Sequence, residues 1–190
     1  MNSQEPRLTT TARNKRTLTI VAVAFLGSFL LAGILRYSGW RPEGLKAKGE
    51  LLQPAVDAHL LQPKLADGTA YPWNPIERKW RILVVPSDNC ADKCTALANQ
   101  LDTLWQILGK DAPRVDLLWW AAVPEGAPAA SHPRALQADP ALLAKLPRAN
   151  DPAGPVTYIL DPNGFVVLRY KPGTDPGDIR TDLSRLLKLR

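Results

Sequence analysis

Cysteine and histidine are scarce in this chain of 190 residues, which has two of each. Two cysteines cannot build the dense bridging of a small secreted scaffold. Two histidines exclude a histidine-rich metal centre. Basic charge is not spread in stripes either. The formal net charge is +6, and Arg7, Arg13, Lys15 and Arg16, opposed only by Glu5, supply half of it near the N-terminus. No Arg/Lys stripe interleaved with aromatics follows, and no zinc-finger spacing, so nucleic acid is not an expected partner. No Ser-His-Asp set, phosphate-binding glycine loop or pair of catalytic carboxylates stands out, which weighs against a hydrolase. No internal repeat is visible. Hydrophobic residues at 45% and charged residues at 22% are the proportions of a chain that folds. The length suits one medium domain plus an appendage, or one large domain.

Charge is also missing from one long run, Thr17 to Leu35 (TLTIVAVAFLGSFLLAGIL), which is 19 residues long. At 1.5 Å per residue it spans about 28 Å as a helix, close to a hydrocarbon core. Lipid offers backbone groups no partners, so a single helix is expected. Tyr37 and Trp40 follow where an aromatic belt would sit. The run exceeds the apolar core of a signal peptide, and no small-residue cleavage site follows it. The leading cluster Arg13, Lys15 and Arg16 favours a cytoplasmic N-terminus. Arg36, Arg41, Lys46 and Lys48 lie beyond the run, partly offset by Glu43 and Glu50. The expected organisation is a cytoplasmic basic tail (1–16), a transmembrane helix (17–37), a linker with an irregular extension (38–79) and a folded domain (80–190). The bilayer is thus an expected partner. With the N-terminus inside, the domain lies in the periplasm, a compartment that permits a disulfide.

Prolines number 18, about twice the usual share. Five of them break the pattern between 41 and 80, where LKAKGELLQP (45–54) reads as a connector and Trp73 and Trp80 as anchors. From Trp80 the signal sharpens. WRILVV (80–85) is a β-branched apolar run stopped by Pro86, which predicts a buried strand. Leu97, Leu101, Leu104, Trp105 and Leu108 recur at steps of three and four, predicting a helix over about 92–108 that ends at Gly109. VDLLWWAAV (115–123) predicts a second buried strand, with Trp119 and Trp120 as packing residues. The Pro/Ala/Gly-rich segment 124–134 reads as a loop, either a partner contact or a solvated linker. Asp139-Pro140 opens a short helix to Leu146. PVTYIL (155–160) and FVVLRY (165–170), joined by Asp161-Pro162-Asn163-Gly164, predict a hairpin. A last helix runs from about Pro176 to Leu189, capped by Thr174 or Asp175. The order strand–helix–strand–helix–strand–strand–helix, with a crossover through each of the first two helices, predicts a mixed α/β sheet with helices on both faces.

That order resembles the thioredoxin fold. Cys90 and Cys94, a C-x-x-x-C pair after the first core strand, resemble in spacing and position the pair of the Sco/SenC family of membrane-anchored cytochrome oxidase assembly proteins. TYILDPNGFVVLRY (157–170) is similar to that family's strand–turn–strand ending, and Arg78-Lys79-Trp80 echoes the start of its core. The chain departs from the family in one place above all. The family's copper histidine falls, by offset from Tyr158, at Ala153. The prolines usual around the family's first cysteine are absent too. The chain therefore resembles a diverged branch, near small uncharacterised transmembrane proteins encoded with oxidase assembly genes. The resemblance implies a bacterial inner-membrane accessory factor whose partners are cytochrome c oxidase subunits or other assembly factors. Pro155 stands where redox proteins of this fold place a cis-proline, and Asp161 and Gly164 stand at the family's turn.

The cysteine pair has three readings. Two thiolates are soft ligands for Cu(I), the one cofactor or cargo in view. A helix start and Lys93 favour thiolate, while Asp88 and Asp92 oppose it, so thiol–disulfide exchange is the second. A static disulfide is the third, and with it a non-enzymatic membrane-tethered scaffold that only binds a partner. His132, in the loop after the second strand, is a weak candidate for an added ligand, and His59 a weaker one.

Overall fold

The computed structural model describes residues 8–38, 47–88 and 90–188, which fall into two units divided between Lys46 and Ala47. The N-terminal unit is one helix, α1 (Leu8–Tyr37). Its stretch Asn14–Tyr37 is long and apolar enough to cross a bilayer by length and composition, and none of it is buried in the protein. The helix begins well before Thr17, because Lys15 and Arg16 are good helix formers and nothing interrupts the ladder. Thr19 Oγ1 donates back to the Lys15 carbonyl at 3.0 Å. Residues 8–16 of the expected tail are therefore helical. The first seven residues, and Trp40, Arg41, Glu43 and Lys46 of the expected linker, lie outside the described residues.

The second unit is a six-stranded sheet. Its strands are β1 (Glu50–Asp57), β2 (Trp80–Val85), β3 (Val115–Trp120), β4 (Arg134–Leu136), β5 (Val156–Leu160) and β6 (Phe165–Tyr170), in the order β1-β6-β5-β2-β3-β4. Among its described residues are the α-helices α2 (Ala91–Ile107), α3 (Pro140–Lys145) and α4 (Pro176–Leu186). Alternation along the strands divides the core in two. Ile82, Val84, Leu117 and Trp119 face α2 and α4, whereas Leu83, Leu118 and Trp120 face α3 and the segment around Tyr71. Adjacent tryptophans thus pack on opposite faces. Helices cover both sides, as the apolar runs of β2 and β3 require.

Three features differ from the sequence reading. Of the two helical crossovers predicted, the one through α2 is parallel, since β2 pairs with β3 in parallel, but the strand after α3, β5, returns antiparallel to β2. The chain after β3 adds the short parallel edge strand β4 and then packs α3 on the far face, so it re-enters the sheet in the opposite sense. Second, 50–57 is a strand and not a connector. It pairs antiparallel with β6, with an irregularity between Leu51 and Val56 around Pro54. Proline is admitted there because β1 is an edge. Third, α4 ends at Leu186, and the predicted end at Leu189 lies outside the described residues.

Local chemistry explains the ends that were foreseen. The Asp139 carboxylate accepts from Ala141 N at 2.9 Å and caps α3, whose first residue is Pro140. Asp175 does the same for α4 through Gly177 N at 2.7 Å. Gly109, at φ +55, closes α2. In the hairpin, Asp161 Oδ1 accepts from the backbone N–H groups of Asn163 (2.9 Å) and Phe165 (2.8 Å). Gly164 sits there at φ +96 with the Trp73 ring only 2.7 Å from where a Cβ would stand. Trp73 is held in turn by donating to the Ala58 carbonyl at 3.0 Å.

Candidate redox site

β2 delivers the chain to its exit at Pro86, and α2 begins five residues later. Cys90 is the N-cap of α2 and Cys94 lies in its first turn, where Cys94 N donates to the Cys90 carbonyl at 2.6 Å. The spacing places both sulfurs on one side of the helix start. They are joined as a disulfide, with Cα atoms 5.2 Å apart. Cys90 is 6% exposed and Cys94 4%. Both belong to the core between the sheet and the helices α2 and α4.

The pair opens onto a cleft of about 610 Å³ walled by Pro86, Trp119, Trp120 and the segment Ala121–Gly126. That segment bends out of the sheet at Ala121, which has φ +64, and Ala122 N closes a tight turn onto the Trp120 carbonyl at 2.8 Å. Sequence reasoning carried the strand to Val123 and so missed this wall. The only signal for it was the change from Trp-Trp to Ala-Ala before Pro124.

Asp88, Asp92 and Glu125 stand exposed around the cleft. Lys93 points elsewhere. Its ammonium donates to the Ala153 carbonyl at 2.9 Å, and its side chain lines a separate 340 Å³ hollow with Pro155 and Thr157. Ala153, where the resemblance places a histidine, is exposed, and its carbonyl is within reach of a side chain from the first turn of α2. Pro155 is buried at the mouth of β5 with a trans peptide bond, since the cis bond among the described residues is Gln53–Pro54. The expectation of a cis-proline at 155 is thus corrected. The bend into β5 is made by Gly154, at φ +149, which needs no cis bond.

The two histidines lie away from the pair. Ser131 N donates to Asp102 Oδ1 at 2.7 Å, which fastens the loop before β4 to the middle of α2. His132 consequently rests edge-on against Trp105, with ring centroids 6.3 Å apart. Trp105 is about 16 Å along α2 from Cys94 at 1.5 Å per residue. His59 stacks on Phe165 at 5.5 Å and contacts Asp57 at 2.5 Å, beyond the end of β1. That contact, with the backbone N–H of His59, holds the Asp57 carboxyl below its usual range.

No group of three or more His, Cys, Asp or Glu residues that would hold a metal ion occurs among the described residues. Reduced, the site offers two sulfurs. That donor set suits Cu(I) in transit and lacks the nitrogen that Cu(II) prefers.

A buried polar network on the other side of the sheet escaped the sequence reading. Arg81, 1% exposed, donates through Nη1 to the carbonyls of Asp161 (3.1 Å) and Pro162 (3.0 Å) and through Nε to Tyr71 Oη (3.1 Å). Tyr71 Oη donates to Asp116 Oδ2 at 2.6 Å, which also receives Arg134. Burial pushes the Tyr71 hydroxyl up to about 12, against the opposing charge of Arg81. The network fixes the hairpin turn to the residues before β2.

Comparison with known proteins agrees with this geometry. A family model described as "Transmembrane-like, thioredoxin-like, C-terminal domain" matches residues 80–190. No curated protein matches. Among solved structures, BsSco, a member of the Sco family of cytochrome c oxidase assembly proteins with a disulfide switch, has a TM-score of 0.52 at 14% identity, covering 76% of this chain and 99% of that one. Yeast Sco1 with copper bound has a TM-score of 0.50 at 17% identity, covering 68% and 90%. Peroxiredoxin Q of Xanthomonas campestris has a TM-score of 0.46 at 20% identity, covering 75% and 97%. With its mixed sheet, its cysteine helix and a match over more than half its length, the chain belongs to the family of transmembrane-like, thioredoxin-like C-terminal domains and has the thioredoxin fold of the Sco proteins.

Proposed function

We propose that this protein is a membrane-anchored accessory factor in assembly of the copper centre of cytochrome c oxidase, acting by thiol–disulfide exchange at Cys90 and Cys94. The observation that carries the reading is the disulfide between them at the start of α2, on the wall of an open cleft. The helix start supplies unpaired N–H groups that favour a thiolate when the bond opens. So short a loop restricts the unfolded chain little, which argues against a purely structural brace.

The exchange balances as follows. A partner thiolate attacks one sulfur of the pair, the Cys90–Cys94 bond breaks, and the displaced thiolate takes a proton. The partner's second thiol then resolves the mixed disulfide. The partner ends with a closed disulfide, and Cys90 and Cys94 hold its two electrons and two protons. Run backwards, the reduced pair returns a partner disulfide to the two thiols that a copper centre needs.

The N-terminus lies in the cytoplasm and the domain in the periplasm, in keeping with Arg13, Lys15 and Arg16 before the span. Oxidase subunits and other assembly factors are the partners. Copper handling is the second reading, supported by the two soft sulfurs and placed second by Ala153 where a nitrogen ligand would be needed.

The test uses the full chain in detergent, reduced, with a peptide closed by a C-x-x-x-C disulfide. Peptide thiols should appear with the wild type and not with the double variant Cys90→Ser, Cys94→Ser. Either single serine variant should accumulate a mixed disulfide. Equal peptide reduction by wild type and double variant would remove the exchange reading. Anaerobic Cu(I) titration of the same two proteins decides the copper reading, which needs thiol-dependent binding.

A further inference from the structure

The cleft beside the disulfide reverses the sign of the chain's charge. The whole protein carries +6, yet Asp88, Asp92 and Glu125 line this cleft and no lysine or arginine does. Among the described residues these three carboxylates make no hydrogen bond or ion pair, unlike Asp116, Asp151 and Asp182, which are all engaged. The one cation of the same helical turn, Lys93, is drawn off to the Ala153 carbonyl on another side of α2. Between the carboxylates, the wall is apolar or small: Pro86, Trp119, Trp120, Val123 and the alanines at 91, 121 and 122. The nearly buried disulfide lines the same cleft.

We infer that the cleft docks an extended, lysine- or arginine-bearing segment of a partner protein whose cysteines react with Cys90–Cys94. This rests on the exchange reading and adds the partner's chemistry to it. Apolar side chains of the segment cover the floor beside Trp119 and Trp120. Its cations meet Asp88 and Asp92 on one lip and Glu125 on the other. Unpaired carboxylates at a cleft raise the local concentration of a cationic partner and speed its encounter, an effect that salt screens. The small side chains leave room for the partner's cysteine to approach the sulfurs. The chemical step is the balanced exchange given above, with the segment's two thiols oxidised and the pair reduced.

The experiment takes the oxidised full chain in detergent and two synthetic peptides of equal length. Both carry a reduced C-x-x-x-C pair; one is flanked by lysines and the other by glutamates. The second-order rate of peptide oxidation is followed at low and at high salt. The lysine peptide should react about tenfold faster at low salt, and the gap should close as salt rises. It should also close in the variant Asp88→Asn, Asp92→Asn, Glu125→Gln, whose fold is verified by circular dichroism. To separate docking from effects on sulfur reactivity, the same variant is run with free dithiothreitol, whose rate should change less than twofold. Equal rates for the two peptides, or a gap that survives the triple variant, overturn the docking inference and leave exchange itself standing. If neither peptide reacts with the wild type, both fall.

Discussion

Lys93 Nζ donates a hydrogen bond to the carbonyl oxygen of Ala153 at 2.9 Å. One residue lies between the paired cysteines at the start of α2, and the other stands at the position where the resemblance to the Sco/SenC family places a copper histidine. The bond ties the first turn of α2 to the loop that leads into β5.

The first prediction concerns this lysine. Its charge near the helix start favours the thiolate and hence the reduced pair. Lys93→Met should shift the equilibrium with glutathione about threefold toward the disulfide, or about 14 mV for a two-electron couple. Lys93→Arg should restore it. Because Lys93 is exposed, thermal stability should change little. An unchanged equilibrium in Lys93→Met would show that the ammonium acts only as a tether.

A second prediction restores the absent ligand. Ala153 is exposed and adjoins the cysteine helix, so a larger side chain fits without entering the core. The reduced Ala153→His protein should bind Cu(II) and show sulfur-to-copper charge-transfer absorption. The wild type should not. Absence of the band in the variant would mean that the loop does not bring position 153 to the sulfurs.

Arg81 supplies a third. Its guanidinium lies 5.3 Å from the Trp73 ring and 5.7 Å from that of Tyr71, and it donates to two turn carbonyls. Arg81→Met should lower stability by about 2–3 kcal/mol, since two half-buried carbonyls and the buried Tyr71 hydroxyl lose their donor. The urea midpoint reads this directly. A midpoint unmoved from the wild type would deny the network its structural role.

The fourth is a pH dependence. Burial raises the hydroxyl of Tyr71 to about 12 and that of Tyr158 to about 12. The hydroxyl of Tyr170 is raised as well, by burial and by the charge of Asp182. Unfolded tyrosine ionises near 10. Above that pH the unfolded chain has released protons that the folded chain retains, so the stability is complete below about pH 10 and falls between 10 and 12. The slope approaches about 1.4 kcal/mol per pH unit for each tyrosine. Tyr158 Oη donates to the Pro147 carbonyl at 2.8 Å, so Tyr158→Phe should lose some stability at neutral pH and show a shallower alkaline decline. Urea midpoints from pH 8 to 11.5 measure both.

How much of this was legible in the sequence depends on where each element finds its partners. The strands β2, β5 and β6 are continuous apolar runs closed by Pro86, by Asp161 and by Lys171, and their limits could be read almost residue by residue. The caps Asp139 and Asp175 are local chemistry and were equally plain. β1 was not legible: it holds Pro54, exposes most of its residues, and owes its pairing to β6, more than a hundred residues away. β4 is three residues inside a segment whose composition signals only a loop. Of the site, the cysteine pair and its place at the helix start were readable from spacing. That His132 turns toward Trp105 was not, because it follows from Ser131 being held by Asp102. The cleft wall at Ala121–Gly126 depends on a backbone turn with weak sequence signal. Arg81 looked like an ordinary strand residue, and only tertiary packing reveals its burial.

The position of β2 has one more consequence. All six of its residues are buried, and it lies between β5 and β3 near the middle of the sheet. The amides of such a strand open only with the whole domain. Opening and closing of the sulfur bond is then absorbed at Cys90 and in the first helical turn, while the strand behind them stays shut. Deuterium uptake should therefore differ between oxidation states at the start of α2 and remain equally slow from Ile82 to Val85.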